Sequence, residues 1–192
     1  MVAAVTAPGQ MLRLALPSQR LEIELNRGRA YQAITSSPQI QIELVARLNA
    51  TGQAAVVPPD GGMIGNLKVW ENLVLPRAYH GRPQYAELEA RAERIFGEFG
   101  ITGSGFEELC TGLPDRLDRF ERRLAAFVRA MLAEPEIMVY DSLFEGLTRG
   151  EVEKALAFDR IFHMHFPFRT SVFVTPDAAM LPDVGAHAIF RL

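Results

Sequence analysis

Residues 113–147 read LPDRLDRFERRLAAFVRAMLAEPEIMVYDSLFEGL, and the rest of the chain can be read outward from them. The spacing predicts a helix over Arg116–Ala133, with Leu117, Phe120, Leu124, Phe127, Val128 and Met131 on one face and Arg and Asp/Glu on the other. Pro135 stops it, because a proline cannot continue the backbone hydrogen-bond ladder. Ile137-Met138-Val139-Tyr140 is then a short apolar run closed by Asp141, the pattern of a strand buried on both faces of a parallel sheet. An acid at the C-terminal end of such a strand lies where open α/β sheets bind ligands.

Upstream, Leu12, Leu14 and Leu16, then Leu21, Ile23 and Leu25, alternate with other residues around a turn at Pro17-Ser18, which predicts two strands. Arg27-Gly28 makes a turn, Ala30–Ile34 a central strand, and Gln39–Asn49 a helix with Ile40, Leu44, Val45 and Leu48 on one face. Ala54–Val57 reads as a further strand. Pro83–Phe99 reads as an amphipathic helix with Leu88, Ala92, Ile95, Phe96 and Phe99 inward, and Gly100–Gly112 as a linker made mobile or tightly turned by Gly103 and Gly105. Downstream come a helix over Arg149–Phe162, a buried strand over Ser171–Thr175 and a final strand within Val184–Leu192. His163 and His165 would share a face if they lay on a strand, but no third ligand stands at a convincing spacing and no metal site is expected. Cys110 has no His or Asp set beside it as in a nucleophilic site, so a buried, inert thiol is expected.

These segments resemble the ATP-binding cassette (ABC) ATPases. Arg129-Ala130, Leu132-Ala133-Glu134-Pro135 and Ile137–Asp141 keep the frame of that family's signature helix and Walker B strand. Asp60–Leu73, with its Asn66-Leu67-x-Val69-x-Glu71-Asn72 turn, is similar to the Q-loop and the start of the helical subdomain, and Val74-Leu75-Pro76 and Tyr79-His80-Gly81 continue it. Phe144, Gly146 and Leu147 keep the tail of the subgroup that energises lipid-asymmetry transporters. The resemblance implies an α/β, P-loop NTPase-like, mostly parallel sheet with flanking helices, a small helical subdomain and a reduced antiparallel β-subdomain. It implies one domain over 1–192, with 11–58 and 134–192 as the α/β core and 59–133 as the helical subdomain and signature helix.

Within the frame, the groups that would touch nucleotide differ. Thr35-Ser36-Ser37-Pro38-Gln39-Ile40-Gln41-Ile42 stands for the phosphate-cradling loop and holds no glycine. Gln41 takes the place of its lysine and Ile42 that of its Mg²⁺ ligand, while Glu43 adds a negative charge nearby. Pro59 stands for the Q-loop glutamine, Ser142 for the catalytic glutamate after Asp141, and Pro176 for the switch histidine. Leu117-Asp118-Arg119-Phe120-Glu121 stands for the signature motif. No aromatic in Met11–Arg20 serves for adenine stacking. The resemblance with these departures implies a non-catalytic subunit: not an enzyme, no cofactor, ATP binding not expected.

The family's permease-docking groove maps to Asp60, Gly61, Gly62, Met63, Asn66, Leu67 and Trp70; Trp70 reads equally as a core residue. The partners implied are a membrane permease and a second copy or an ABC ATPase, possibly in lipid transport, at the cytoplasmic face of the inner membrane. A soluble regulatory or scaffold protein is the alternative. An enzyme of other chemistry around Asp141, Glu145, Glu43 and His163 lacks a nucleophile–base pair.

Composition sets the bounds. The 192 residues are 48% hydrophobic and 22% charged, as in a globular protein able to bury a sizeable core. A net charge of −3 gives no general reason to bind nucleic acid, and a lone cysteine excludes an internal disulfide. The first ten residues lack the charged and apolar blocks of a signal peptide, and no run reaches the about 20 apolar residues needed to span a bilayer, so membrane association through a partner is expected rather than insertion. The chain is also expected to be trimmed relative to the family, with a short stretch between Asn49 and Val56 and no C-terminal extension.

Overall fold

The computed structural model describes residues 11–79, 81, 84–178 and 181–192. The N-terminal tail, His80 and the Pro83 start expected for the helix that follows lie outside the described residues.

Five strands form a wholly parallel sheet in the order β4-β5-β6-β3-β7: β3 (Ala30–Ile34), β4 (Ala54–Val57), β5 (Ile137–Asp141), β6 (Thr170–Thr175) and β7 (Ala188–Arg191). β1 (Leu12–Leu16) and β2 (Leu21–Leu25) pair antiparallel as a separate two-stranded sheet around a 3₁₀ turn at Pro17–Gln19. The expected α/β fold, mostly parallel with a reduced antiparallel part, is the observed one. The alternation along β5 and β6 explains their apolar runs. Ile137, Val139, Val172 and Val174 point into one core with Leu14, Leu16, Leu44 and Leu48, whereas Met138, Tyr140 and Phe173 point into another with Phe96, Phe127 and Phe162.

The first core is closed by the hairpin and by α1 (Pro38–Ala50), which buries Ile40, Leu44 and Leu48 as its spacing requires. The second is closed by α2 (Val69–Tyr79), α3 (Tyr85–Gly97), α4 (Ser104–Thr111), α5 (Arg119–Ala133) and α6 (Arg149–His165). α5 is the hub of that core. Leu124, Ala125, Ala126, Phe127 and Val128 are all fully buried, the small alanines letting neighbouring elements approach.

Three expectations are corrected. The helix expected over Arg116–Ala133 starts at Arg119: Pro114–Arg116 is a 3₁₀ turn, Leu117 is extended, and Asp118 is the N-cap. A capping box sets that start, Asp118 Oδ1 accepting from Glu121 N at 2.8 Å and Glu121 Oε2 from Asp118 N at 2.9 Å. The linker expected over Gly100–Gly112 contains α4, because Phe106, Leu109 and Cys110 form a buried stripe that outweighs the low helix propensity of its glycine. His163 and His165 lie in the last turn of α6 and not on a strand; His163 Nε2 sits 3.1 Å from Ser171 Oγ and 3.6 Å from Asp159 Oδ1, while His165 is exposed. Cys110 is buried, and burial pushes its thiol up to about 12, which leaves it protonated and unreactive.

Candidate functional site

β3, β5 and β6 run in register, so their C-terminal ends, Ile34, Asp141 and Thr175, open on one edge of the sheet beside the start of α1. The crossover from β3 goes to β4 at one side of the sheet, and the chain after β6 goes to β7 at the other, so this edge is a topological switch point.

The loop from β3 to α1 spends its backbone on neighbouring strands. Thr35 N donates to Thr175 O at 2.9 Å and Ser36 N to Leu192 O at 2.6 Å. Ser37 caps α1 through its side chain, accepting from Ile40 N, and Pro38 carries no N–H. Opposite, Gln41 Nε2 donates to Asp141 Oδ1 at 2.5 Å and lies 2.8 Å from Ser142 Oγ. Ser142 sits at φ +49°, a left-handed conformation uncommon outside glycine, held by its N–H on Val174 O at 2.9 Å. Thus Thr35–Ile42, Asp141 and Ser142 come together, and Gln41 bridges the groups at the centre. Gln39 and Ile42 point outward, Ile42 being 68% exposed. Pro176 follows β6 and is exposed, while Thr175 Oγ1 engages Asp177 on both N and O at 3.3 Å.

Asp141 is pushed above the usual carboxylate range, mainly by burial and further by Glu145 and Asp60, against the Gln41 hydrogen bond that lowers it. A carboxyl raised in the folded state binds protons the unfolded chain has already released, so its ionisation costs stability as pH climbs through the raised value. Asp141→Asn keeps an oxygen for Gln41 and removes that cost. The variant is expected to melt higher than the parent at pH 7, with the difference closing as pH falls to the ordinary carboxylate range. Equal melting temperatures at pH 7 would contradict the assignment.

The signature stand-ins lie elsewhere. Asp118 and Glu121 close the capping box, Phe120 is buried in the core, and Arg119 Nη1 donates to Gly146 O at 2.7 Å. Sequence reasoning placed Arg123 on a polar helix face, yet it is 2% exposed, its Nε on Pro59 O at 2.9 Å and its Nη2 on Glu145 O at 2.6 Å. These bonds tie the start of α5 to the loop after β4 and to the turn after β5.

The loop after β4 is fastened from two sides. Arg129 Nη2 reaches Gly61 O at 3.0 Å and its Nη1 reaches Gly62 O at 2.7 Å. Buried Asn72 accepts from Ile64 N at 2.8 Å and donates to Ile64 O, Leu67 O and Lys68 O at 3.1, 3.2 and 3.0 Å. The loop thereby presents Asp60, Gly62, Ile64 and Asn66 to solvent, with Met63, Leu67 and Trp70 half-buried behind them. Gly61 sits at φ +83°, and a Cβ there would lie 2.8 Å from Arg122 O. Gly61→Ala is expected to lose at least about 1–2 kcal/mol in urea unfolding, from the left-handed backbone alone. Gly65→Ala, with nothing within 4 Å, should change little; equal losses at both positions would contradict this reading.

A metal held in the manner the resemblance implies does not fit these residues. Ile42 offers no oxygen, and Asp141 Oδ1 already takes the Gln41 amide. Among the described residues no group of three or more His, Cys, Asp or Glu is arranged to hold a metal ion. Nor, among them, is any helix long and apolar enough to cross a membrane.

The fold is that of ABC transporter ATP-binding subunits. It superposes on cbiO1 from Clostridium perfringens, part of the ABC transporter complex cbiONQ, with a TM-score of 0.69 over 90% of this chain and 76% of that one at 14% identity. It also superposes on the dimeric MJ0796, a bacterial ABC transporter cassette, with a TM-score of 0.64 over 84% of this chain and 80% of that one at 15% identity. In sequence it is 29% identical over 123 residues to the L-cystine transport system ATP-binding protein TcyN of Escherichia coli, covering 64% of this chain and 46% of that protein. It is likewise 29% identical over 120 residues to the sulfate/thiosulfate import ATP-binding protein CysA of Mycobacterium bovis, covering 62% of this chain and 32% of that protein. The chain thus spans less than half the length of these two relatives. No family model matches it. In sequence the chain is thus similar to ATP-binding proteins of transport systems, and its fold is that of ABC transporter cassettes. The expectation that the chain is not an enzyme is overturned by these likenesses, because the proteins it matches are ATP-binding subunits.

Proposed function

We propose that this chain is the ABC-type subunit of a membrane transport complex, docking a permease through the loop between β4 and α2 and pairing with a second copy or with an ABC ATPase. The observation that carries the reading is the loop itself. Its backbone is fastened by Asn72 and Arg129, it presents Ile64, 45% exposed, and half-buried Trp70 follows in the first turn of α2. A rigid loop with an exposed apolar residue and a half-buried aromatic at its end suits a partner that inserts a short element there, since little ordering entropy is lost on binding. The two relatives, ATP-binding proteins of an L-cystine transport system and of sulfate/thiosulfate import, support the same reading.

In this reading 11–58 and 134–192 form the α/β part that carries the crevice, and 59–133 the helical part that meets the permease. Docking Asp60, Gly61, Gly62, Met63, Asn66, Leu67 and Trp70 onto a permease would hold the chain at the cytoplasmic face of the inner membrane. Lipid cargo is proposed from the Phe144-x-Gly146-Leu147 tail alone. Deleting the gene is expected to shift phospholipid between the cell's membranes; an unchanged distribution removes the lipid part and leaves the rest. For the docking part, native membranes should retain the chain and release it in alkaline carbonate, as they do peripheral subunits. A chain found wholly in the cytosolic fraction would overturn it.

A further inference from the structure

The N-terminal ends of β3, β5 and β6 are tied into one knot. Ser171 N donates to Arg29 O and Thr170 N to Glu136 O, both at 3.1 Å, and Thr170 Oγ1 donates to Asn26 O at 3.0 Å. Arg27 Nη2 meets Glu136 Oε2 at 2.8 Å. Arg169 Nη1 reaches Pro135 O at 3.2 Å, and its guanidinium lies 4.0 Å from the centre of the Phe166 ring. The loop from α6 to β6 is thereby fixed, and it abuts the turn before β3: a Cβ at Gly28 would sit 3.2 Å from Pro167 O and 3.6 Å from Phe168 Cα.

This rigid end holds apolar side chains in water. Phe168 is 78% exposed, and Met164, in the last turn of α6, is 62% exposed. Two exposed arginines flank them. Arg160 lies one helical turn before Met164 and so on the same face of α6, and Arg29 follows the glycine that abuts Phe168. Among the described residues neither arginine makes an ion pair. The carboxylates nearby in the chain are already engaged: Glu136 by Arg27 and Arg169, Glu134 by Arg91, and Asp159 by His163 at 3.6 Å. The free charge at this end is therefore positive, in a chain whose net charge is −3.

We propose that this end docks a partner protein through an acidic segment bearing an apolar residue, with Phe168 and Met164 as anchors and Arg29 and Arg160 as the charges that select it. Phe, Met and Arg are the residues enriched at protein interfaces, where Lys, Glu and Asp are depleted. The fixed backbone leaves little ordering entropy to lose. A lipid surface is drawn by clusters of about four to eight Lys or Arg, against the two free arginines here. Single-stranded nucleic acid stacks on successive aromatics, against one exposed phenylalanine. Two copies meeting end to end would oppose like charges, which argues for a different protein as the partner. The proposal goes beyond the transport reading and does not depend on a permease, since this end lies opposite the loop that follows the C-terminal end of β4 in a parallel sheet.

The test places the photo-reactive residue benzoylphenylalanine at position 168 of the full chain in the native cell. Irradiation should give one discrete protein adduct, mapped to a segment in which Asp and Glu outnumber Lys and Arg. The same label at Leu21, 43% exposed on the hairpin, should not yield it. A synthetic peptide of the mapped segment is then titrated into the full chain by calorimetry. Phe168→Ser should weaken its binding at least about 30-fold, the threshold of an interface hot spot. Arg29→Gln/Arg160→Gln should weaken it about fivefold, the scale of exposed ion pairs. These side chains already lie in water, so neither variant should shift Tm by more than about 3 °C. The proposal is overturned if position 168 gives no adduct, or adducts only with lipid, nucleic acid or a second copy. It is equally overturned if the mapped segment is not acidic, if Leu21 gives the same adduct, or if Phe168→Ser binds the peptide as tightly as the parent.

Discussion

Asn72→Ala is expected to lower Tm by roughly 6–12 °C, from a loss of about 3 kcal/mol, and to release the chain from the permease proposed above. The side chain is 1% exposed, and each of its polar atoms meets a complementary group: the oxygen faces the Ile64 N–H, the nitrogen faces the carbonyls of Ile64, Leu67 and Lys68. Truncation leaves those groups without their partner where water has poor access, which is the expensive way to lose a hydrogen bond. Asn72→Asp should be worse, because it turns a carboxylate toward three carbonyl oxygens. The two effects separate by measurement. Thermal melting reports the stability loss, and co-sedimentation with membranes below Tm reports whether the loop 60–68 still docks. Retained docking in a folded Asn72→Ala chain would show that the loop's conformation is not what the partner reads.

Phe158→Ala should cost about 3–5 kcal/mol in urea unfolding, the range for removing a fully buried aromatic. Phe158 is fully buried on α6, its ring stacked on Phe127 of α5 at 4.5 Å and 10°, with Phe99 edge-on at 5.4 Å and Phe120 at 6.0 Å. It joins two helices to the segment after α3, so its loss opens a cavity that rigid helices cannot collapse to fill. Phe158→Leu should recover most of the stability. A loss below about 1 kcal/mol for the alanine variant would mean the cluster relaxes around the gap.

Much of the fold was legible because its periods are clear. Ala30–Ile34 and Ala54–Val57 match the observed strands residue for residue, and the apolar run Ile137–Tyr140 announced a strand buried on both faces. The errors share a cause, the weight given to local pattern over caps and packing. Leu117 falls three residues before Phe120, so it extended the apparent stripe of α5 past a capping box that Asp118 and Glu121 spell out in sequence. Gly103 and Gly105 masked α4, whose buried Phe106, Leu109 and Cys110 were the better signal.

The sites were legible by position and not by contact. Asp141 stood out as an acid closing a buried strand, but its bond to Gln41 spans 100 residues and no local pattern encodes it. Arg123 was lost among the charged residues of α5, because a helical wheel cannot distinguish an arginine facing solvent from one facing two carbonyls across a cleft. Asn72 was visible inside a recognisable turn, while its role in fastening that turn needed coordinates.

The central claim is that the β4–α2 loop docks this chain on a membrane permease. Affinity purification of the chain from detergent-solubilised native membranes, compared with Leu67→Asp and Trp70→Asp variants that still fold, tests it most directly. The expected result is a stoichiometric polytopic membrane protein with the parent chain and its loss with both variants. Its retention by both variants, or a parent chain purified from membranes with no such partner, would contradict the claim.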